Sequence, residues 1–304
     1  LRKVIITGCN GFIGSNLCKI FRKSGDRVIG LYRTKGLNNN ENDYEFDLLN
    51  QNIAAFLETQ KPDVIIHSAG SASVPASVID PYKDYKLNVE MLYRVLTAIK
   101  EAGLKNVKFI YLSSAAVYGN PDFMPVNENF ILNPISPYGL HKKLGEDICN
   151  YFKFNNGLDI NIVRIFSAYG EGLRKQIFWD MANMIKKYGK IELFGTGNET
   201  RDFIHIDDVV NAIRCLVTSN TNESNLFNLA NGISMRIRDI ANIFAKKFNL
   251  NEELVFFNGI QKQGDPLNWQ ADIKRIESIG FKTQVNIEEG ISRYANWIRS
   301  LENE

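Results

Sequence analysis

Tyr138 and Lys142, four residues apart in the run S-P-Y-G-L-H-K, are the pair in this chain best suited to moving a proton. On a helix that spacing sets phenol and ammonium on one face, one turn apart, where both can meet a single ligand. A free tyrosine titrates near pH ~10, and a cation beside it favours the phenolate, so the pair is expected to bring the phenol toward the range of a working acid or base. Pro137 pre-sets the first helical turn, and Ser136 is placed to cap it. Upstream, the run Val107 to Leu112 delivers S-S-A-A-V-Y-G, and Ser114 at that strand end can orient a substrate oxygen while Tyr138 transfers its proton. Tyr118 is the alternative proton donor.

These residues need a rigid frame, and the pattern of the chain supplies one. The apolar run Val4 to Thr7 passes into Gly8, Gly11 and Gly14 and then into a helical pattern carried by Leu17, Ile20 and Phe21. Glycines are needed where the turn is tight and where backbone touches a pyrophosphate, whose charge then sits at the helix N-terminus. A second strand, Arg27 to Leu31, runs into Tyr32-Arg33-Thr34-Lys35 with no acidic residue at its end. An acid there would hold a ribose diol and an arginine accommodates a 2′-phosphate, so Arg33, helped by Lys35, argues for NADP(H).

A helix over Ile53 to Thr59, a strand Val64 to His67 ending in Ser68-Ala69-Gly70, and a long helix from about Tyr82 to Ala102 stopped by Gly103 come next. Asn88 within that helix either reaches toward the catalytic strand or bonds to backbone. Strand and helix alternate up to Arg164, which implies an α/β fold with a Rossmann-like, doubly wound parallel sheet.

Composition narrows the class. The chain has 304 residues, 44% hydrophobic, long enough for one large core or two unequal lobes, and its net charge of +2 with interspersed signs gives no reason to expect a nucleic-acid or membrane partner. Cys9, Cys18, Cys149 and Cys215 are scattered, as are His67, His141 and His205, so neither a metal site nor a disulfide framework is expected. The expected compartment is the reducing cytoplasm.

The motifs T-G-C-N-G-F-I-G, V-I-I-H-S-A-G, S-S-A-A-V-Y-G, S-P-Y-G-L-H-K and R-D-F-I-H-I-D-D-V stand in the order and spacing of the extended short-chain dehydrogenases/reductases that act on nucleotide sugars, and the resemblance spans essentially the whole chain. It implies Ser114, Tyr138 and Lys142 as the catalytic triad. It also implies Gly8, Gly11 and Gly14 at the cofactor pyrophosphate with Phe12 and Ile13 beside them, Asp47 and Leu48 by the adenine, and Ala69 and Gly70 on the nicotinamide side. The 4,6-dehydratases of that family carry an Asp-Glu pair where this chain has Ala115 and Ala116, and methyl groups cannot move the protons that dehydration requires.

The resemblance further implies a cofactor domain over residues 1–166 and a smaller α/β substrate lobe over 167–304, with segments crossing between them. Ser167, Arg174 or Lys175, Arg201 and Lys262 are its implied contacts to the sugar nucleotide, and Leu193-Phe194-Gly195-Thr196-Gly197 would form a strand and turn over the base. His205 is expected to be structural, and Asp207 and Asp208 to cap the helix Val209 to Val217. The helices near 82–102 and 138–155 resemble those of a four-helix dimer interface, so a homodimer is expected.

The run L-R-K-Q-I-F-W-D at 173–180 resembles a subgroup that includes 4-keto-6-deoxyhexose reductases. The expected activity is therefore NADPH-dependent reduction at C4 of a nucleoside-diphosphate 4-keto-6-deoxyhexose, in deoxysugar synthesis for surface polysaccharide. The alternatives are a 4-epimerase with tightly held NAD and, from another class, a non-catalytic NADP-binding regulator.

Overall fold

The computed structural model describes residues 1–34, 40–219, 225–261 and 264–301. The first half runs β1 (Lys3–Thr7), α1 (Phe12–Lys23), β2 (Arg27–Tyr32), β3 (Asp43–Glu45), α2 (Ile53–Gln60), β4 (Val64–His67), α3 (Val74–Ile79), α4 (Pro81–Tyr85), α5 (Met91–Glu101), β5 (Lys108–Ser114) and α6 (Pro137–Asn156). The second half runs β6 (Asp159–Ile165), β7 (Ser167–Tyr169), α7 (Gln176–Tyr188), β8 (Ile191–Leu193), β9 (Thr200–His205), α8 (Ile206–Thr218), β10 (Leu226–Leu229), β11 (Ser234–Arg236), α9 (Ile237–Lys247), β12 (Val255–Phe257), α10 (Lys274–Glu277) and α11 (Ile287–Ser300).

Seven parallel strands form the main sheet in the order β10-β6-β5-β4-β1-β2-β3, the Rossmann-like arrangement that the alternating pattern implies. Such a sheet is covered on both faces, which is why its strands read as continuous apolar runs. Alternate residues go to opposite sides. Ile6, Ile66, Ile110 and Leu112 pack with Leu17 and Phe21 of α1 and with Val209 and Ile213 of α8. Ile5, Ile65, Phe109 and Tyr111 pack with Leu57 of α2, with Leu92 and Leu96 of α5, and with Cys149 and Phe152 of α6.

The chain crosses between lobes. β10, far along the sequence, pairs with β6 at the edge of the main sheet, and α8 packs on α1. The smaller lobe has a three-stranded sheet, β11-β9-β7, a two-stranded one, β12-β8, and a core of its own built on Phe178, Phe203, Phe244, Ile291 and Tyr294. Phe12 packs against both cores.

Two expectations need correction. The helix read as continuous from Tyr82 to Ala102 is α4 and α5 joined by a π-helical turn over Lys86–Glu90. That turn widens the helix beside Gly70, where an added Cβ would meet Asn88 Oδ1 at 2.8 Å. Asp207 and Asp208 do not cap α8. His205 does, accepting from the Asp207 N–H at 3.2 Å, while Asp208 accepts from the Gln284 and Val285 N–H groups and so pins the segment before α11.

Candidate active site

The loop between β1 and α1 is shaped by close backbone approach. Gly8 has φ +69°, and a Cβ there would lie 2.8 Å from the Ala69 backbone, while a Cβ on Gly14 would collide with the Gly8 carbonyl. Gly11 caps α1 with no side-chain hydrogen bond, and no acidic residue occupies the first turn. The helix thus presents an uncapped N-terminus toward the C-terminal ends of β1 and β4, the place where a dinucleotide's pyrophosphate fits. Phe12 and Ile13 begin that turn, half-buried, and Ala69 and Gly70 face it from β4, with Ala69 N–H bonded to the Thr7 hydroxyl at 3.1 Å.

At the adenosine end Asp47 is held by the Leu49 N–H (2.9 Å) and the Asn50 side chain (2.7 Å), and Leu48 is buried behind it. The Asn50 amide, the Leu49 N–H and the Arg33 charge together hold the Asp47 carboxyl below its ordinary range. Arg33 is exposed just past the end of β2. Lys35 lies outside the described residues.

The catalytic candidates meet at the C-terminal end of β5. Ser136 caps α6, accepting from the Gly139 N–H at 3.1 Å, and the helix places Tyr138 and Lys142 one turn apart. The Tyr138 N–H also bonds the Ser77 hydroxyl of α3 at 3.1 Å, which fixes the start of α6. The Ser114 hydroxyl accepts from the Ala116 N–H at 3.2 Å and reaches the Tyr138 phenol. Lys142 Nζ donates to the Leu112 carbonyl at 3.0 Å and lies 5.0 Å above the Tyr111 ring and 5.9 Å from that of Tyr138.

Burial dominates the electrostatics of this cluster. It pushes the Tyr138 phenol up to about 12, against a hydrogen bond from Ser114. It pulls the Lys142 ammonium down to about 8, opposed chiefly by the charge of Asp84. The expectation that a cation beside it brings the phenol toward a working range is corrected for the free protein: desolvation of the phenolate raises it, eased by the Ser114 hydroxyl. A proton donor and a cation held in a dry site by a strand-end hydroxyl can exchange a proton with a substrate hydroxyl.

Tyr118 is not an alternative donor. Its hydroxyl donates to Asn228 Oδ1 at 2.7 Å and accepts from Arg164 at 2.8 Å, deep in a network in which Arg164 also grips Glu146 with three contacts of 2.6 to 3.2 Å. Ser113, the other strand-end hydroxyl, donates to Glu146 at 2.6 Å and belongs to that network. These groups join β5, α6, β6 and β10 beneath the site.

Across the cleft, Ser167 is half-buried in β7, opposite Phe203 of β9. Arg174 lies over Trp179 and Trp297, about 6 Å from each ring, whereas the next residue, Lys175, reaches back to the Ala72 carbonyl at 3.4 Å, beside Gly70. Arg201 donates to the Thr200 and Leu267 carbonyls and stacks on Trp269. Burial lowers its pKa, against the charges of Asp265 and Glu199. Lys262 lies outside the described residues. His205 is fully buried and bonds Glu171 at 3.0 Å, a structural placement.

Sequence reasoning passed over Asp84 and His141, whose 2.7 Å contact lies beside Lys142. The only signal is that His141 follows Tyr138 by three residues on the same helix. Of its two sequence readings Asn88 takes the backbone one, with Nδ2 bonded to the Asp84 carbonyl at 3.3 Å, while its buried Oδ1 lies near Gly70 without a protein partner. Among the described residues no cluster of His, Cys, Asp and Glu could hold a metal ion, and no helix is long and apolar enough to cross a membrane.

A family model described as the NAD dependent epimerase/dehydratase family matches residues 4–230, which contain the glycine loop, Ser114, Tyr138 and Lys142. The chain belongs to that family. Among curated members it is 30% identical to a putative UDP-glucose 4-epimerase of Methanocaldococcus jannaschii, with 98% of each chain covered. Among solved structures it is similar to UDP-glucose 4-epimerase of Thermotoga maritima with UDP-glucose, at TM-score 0.91, 26% identity and 99% of both chains. It is also similar to UDP-glucuronic acid 4-epimerase of Bacillus cereus with UDP-glucuronic acid and NAD, at TM-score 0.87, 26% identity and 98% and 99% of the two chains. Membership makes the chain an NAD-dependent enzyme of nucleotide-sugar processing.

Proposed function

We propose that this protein is a nucleotide-sugar 4-epimerase that holds NAD and acts on a UDP-hexose or a closely related UDP-sugar. The observation that carries the reading is end-to-end similarity to proteins described as 4-epimerases, over chains of the same length. The site is consistent with it. Ala115 and Ala116 are buried methyl groups, so nothing there supplies the extra acid and base of a dehydratase.

The reductase expected from the sequence rested on Arg33 and on the run at 173–180. Against NADP(H) stand the relatives of similar fold described in complex with NAD; Arg33 itself is exposed and free of any ion pair to Asp47 among the described residues. Arg33 and the run at 173–180 remain what favours the reductase. An intact Ser114, Tyr138 and Lys142 speaks against the non-catalytic regulator.

NAD, when bound along the glycine loop, supplies reversible hydride transfer at the sugar's C4. Tyr138 takes the proton of the C4 hydroxyl in its phenolate form, which the loaded site must favour against the burial that raises the phenol, and returns it from the phenol; Ser114 aligns the oxygen, and the Lys142 charge beside the ring favours the phenolate. Arg201 and Lys175 are placed for the diphosphate, Arg201 with a forked donor set and Lys175 as a point charge. Ser167 is the corresponding polar contact to the sugar.

A homodimer fits the exposed aromatic surface of α4, α5 and α6, where Tyr82, Tyr93, Tyr151 and Phe154 are 50 to 76% exposed. The test of the cofactor reading is mass spectrometry of nucleotide released by denaturing the purified protein. NAD retained at near one equivalent is expected, and NADP or no nucleotide at all would contradict it.

A further inference from the structure

The least explained groups near the site are Asp84 and His141. Asp84, on α4, is 3% exposed, and its Oδ2 lies 2.7 Å from Nδ1 of the equally buried His141 on α6. A carboxylate has no proton to give, so Nδ1–H is the donor. The other oxygen, Oδ1, is buried with no protein partner. Removing a carboxylate this far from water costs several kcal/mol in general, and a single hydrogen bond does not repay it. The charge needs a second reason to be there.

Lys142 follows His141 directly; its own contacts are neutral, the Leu112 carbonyl and the Tyr111 ring, and the other charged groups around it are already matched. Glu146, one turn along α6, is gripped by Arg164 and Ser113, so its charge is already matched. Burial keeps the Cys149 thiol and the Tyr111 phenol protonated, and keeps His67 of β4 neutral at about 3. Tyr85 of α4 offers His141 only a ring edge, with centroids 5.8 Å apart. Asp84 is the strongest charge opposing the burial of Lys142.

We propose that Asp84 and His141 are a positioning pair for Lys142. The imidazole fixes the Asp84 carboxylate inside the lobe, and that fixed charge keeps the Lys142 ammonium ionised and in register with Tyr138. Neither residue touches substrate. The pair also links α4 to α6 across the π-turn that carries Asn88, whose amide holds the Asp84 carbonyl.

The proposal rests on the catalytic reading of Lys142, but its test needs no substrate. Thermal unfolding is measured for Asp84→Asn, His141→Leu and His141→Asn, each in the wild-type and the Lys142→Met background, near neutral pH. Asp84→Asn and His141→Leu are expected to lower the midpoint clearly in the wild type and much less beside Lys142→Met. His141→Asn, which keeps a donor toward Asp84, should behave nearly as wild type. Equal losses in both backgrounds would make the pair merely structural and overturn the proposal.

Should Asp84→Asn fail to fold, folding restored by Lys142→Met supports the pair, and failure of both variants overturns it. In active protein, the alkaline limb of kcat/KM should move to lower pH by roughly one unit in Asp84→Asn with KM little changed. A coupling found in a protein that does not epimerise would leave the pair standing and remove only the function.

Discussion

Lys142→Met should stabilise the nucleotide-free protein while destroying its activity. The ammonium is 6% exposed and its pKa falls from 10.5 to about 8 on folding, mainly through desolvation. A drop of about 2.5 units corresponds to roughly 3 kcal/mol against the folded state, at ~1.4 kcal/mol per unit. Below pH 8 both folded and unfolded chains carry the proton, so the penalty is complete there. Between about 8 and 10.5 only the unfolded chain holds it, and the penalty fades as pH rises.

Methionine fills a similar volume without charge, but it loses the bond to the Leu112 carbonyl and the contact with the Tyr111 ring, together about 1–2 kcal/mol. A net gain on the order of 1–2 kcal/mol remains, a rise of a few degrees in Tm. The assay is scanning calorimetry of stripped protein at pH values on either side of that window. An advantage largest at neutral pH and shrinking in alkali is expected. A variant less stable than wild type at neutral pH, or an advantage that grows with pH, would refute the reasoning.

Tyr138→Phe removes the proton and little volume, so kcat should fall about 10²- to 10⁴-fold with NAD still retained, read from turnover and released nucleotide on the same sample. Gly14→Ala drives a methyl into the Gly8 carbonyl and should cost both retained NAD and several degrees of Tm, whereas Gly25→Ala, with open space around the added carbon but φ +89°, should cost only stability. Arg33→Ala should leave retained NAD unchanged. Loss of NADP(H) binding in that variant would return weight to the reductase. Arg164→Met leaves Glu146 buried without its partner and should destabilise by about 3–5 kcal/mol, measured by urea unfolding.

The sheet was legible because its strands are buried on both faces and read as unbroken apolar runs, and because the glycines at 8 and 14 mark backbone approach that leaves no room for a Cβ. The catalytic helix was legible because Tyr138 and Lys142 are related by local helical spacing. Contacts made across long separations were not. Asp84 meets His141 across 57 residues, and the Gly30 N–H in the middle of β2 is satisfied by Asp43 from the start of β3.

The π-turn at 86–90, which brings Asn88 close to Gly70, has no local sequence signature. The cap on α8 fell to His205 instead of Asp207 or Asp208 because the strand before it ends one residue earlier than its acidic run suggests. Arg174 and Lys175 were interchangeable by composition. Only the packing of Trp179 and Trp297 shows which of them turns toward the β4 side of the cleft.

The central claim is tested most directly by incubating the purified protein with UDP-glucose, adding no cofactor, and following the anomeric protons by NMR while recording absorbance of reduced nicotinamide. Steady appearance of the C4 epimer to an equilibrium mixture, with no net change in that absorbance, is the predicted result. No interconversion of any UDP-hexose or UDP-hexuronate, together with stoichiometric NADPH consumption on a nucleoside-diphosphate 4-keto-6-deoxyhexose, would contradict the epimerase reading and reassign Ser114, Tyr138 and Lys142 to reduction.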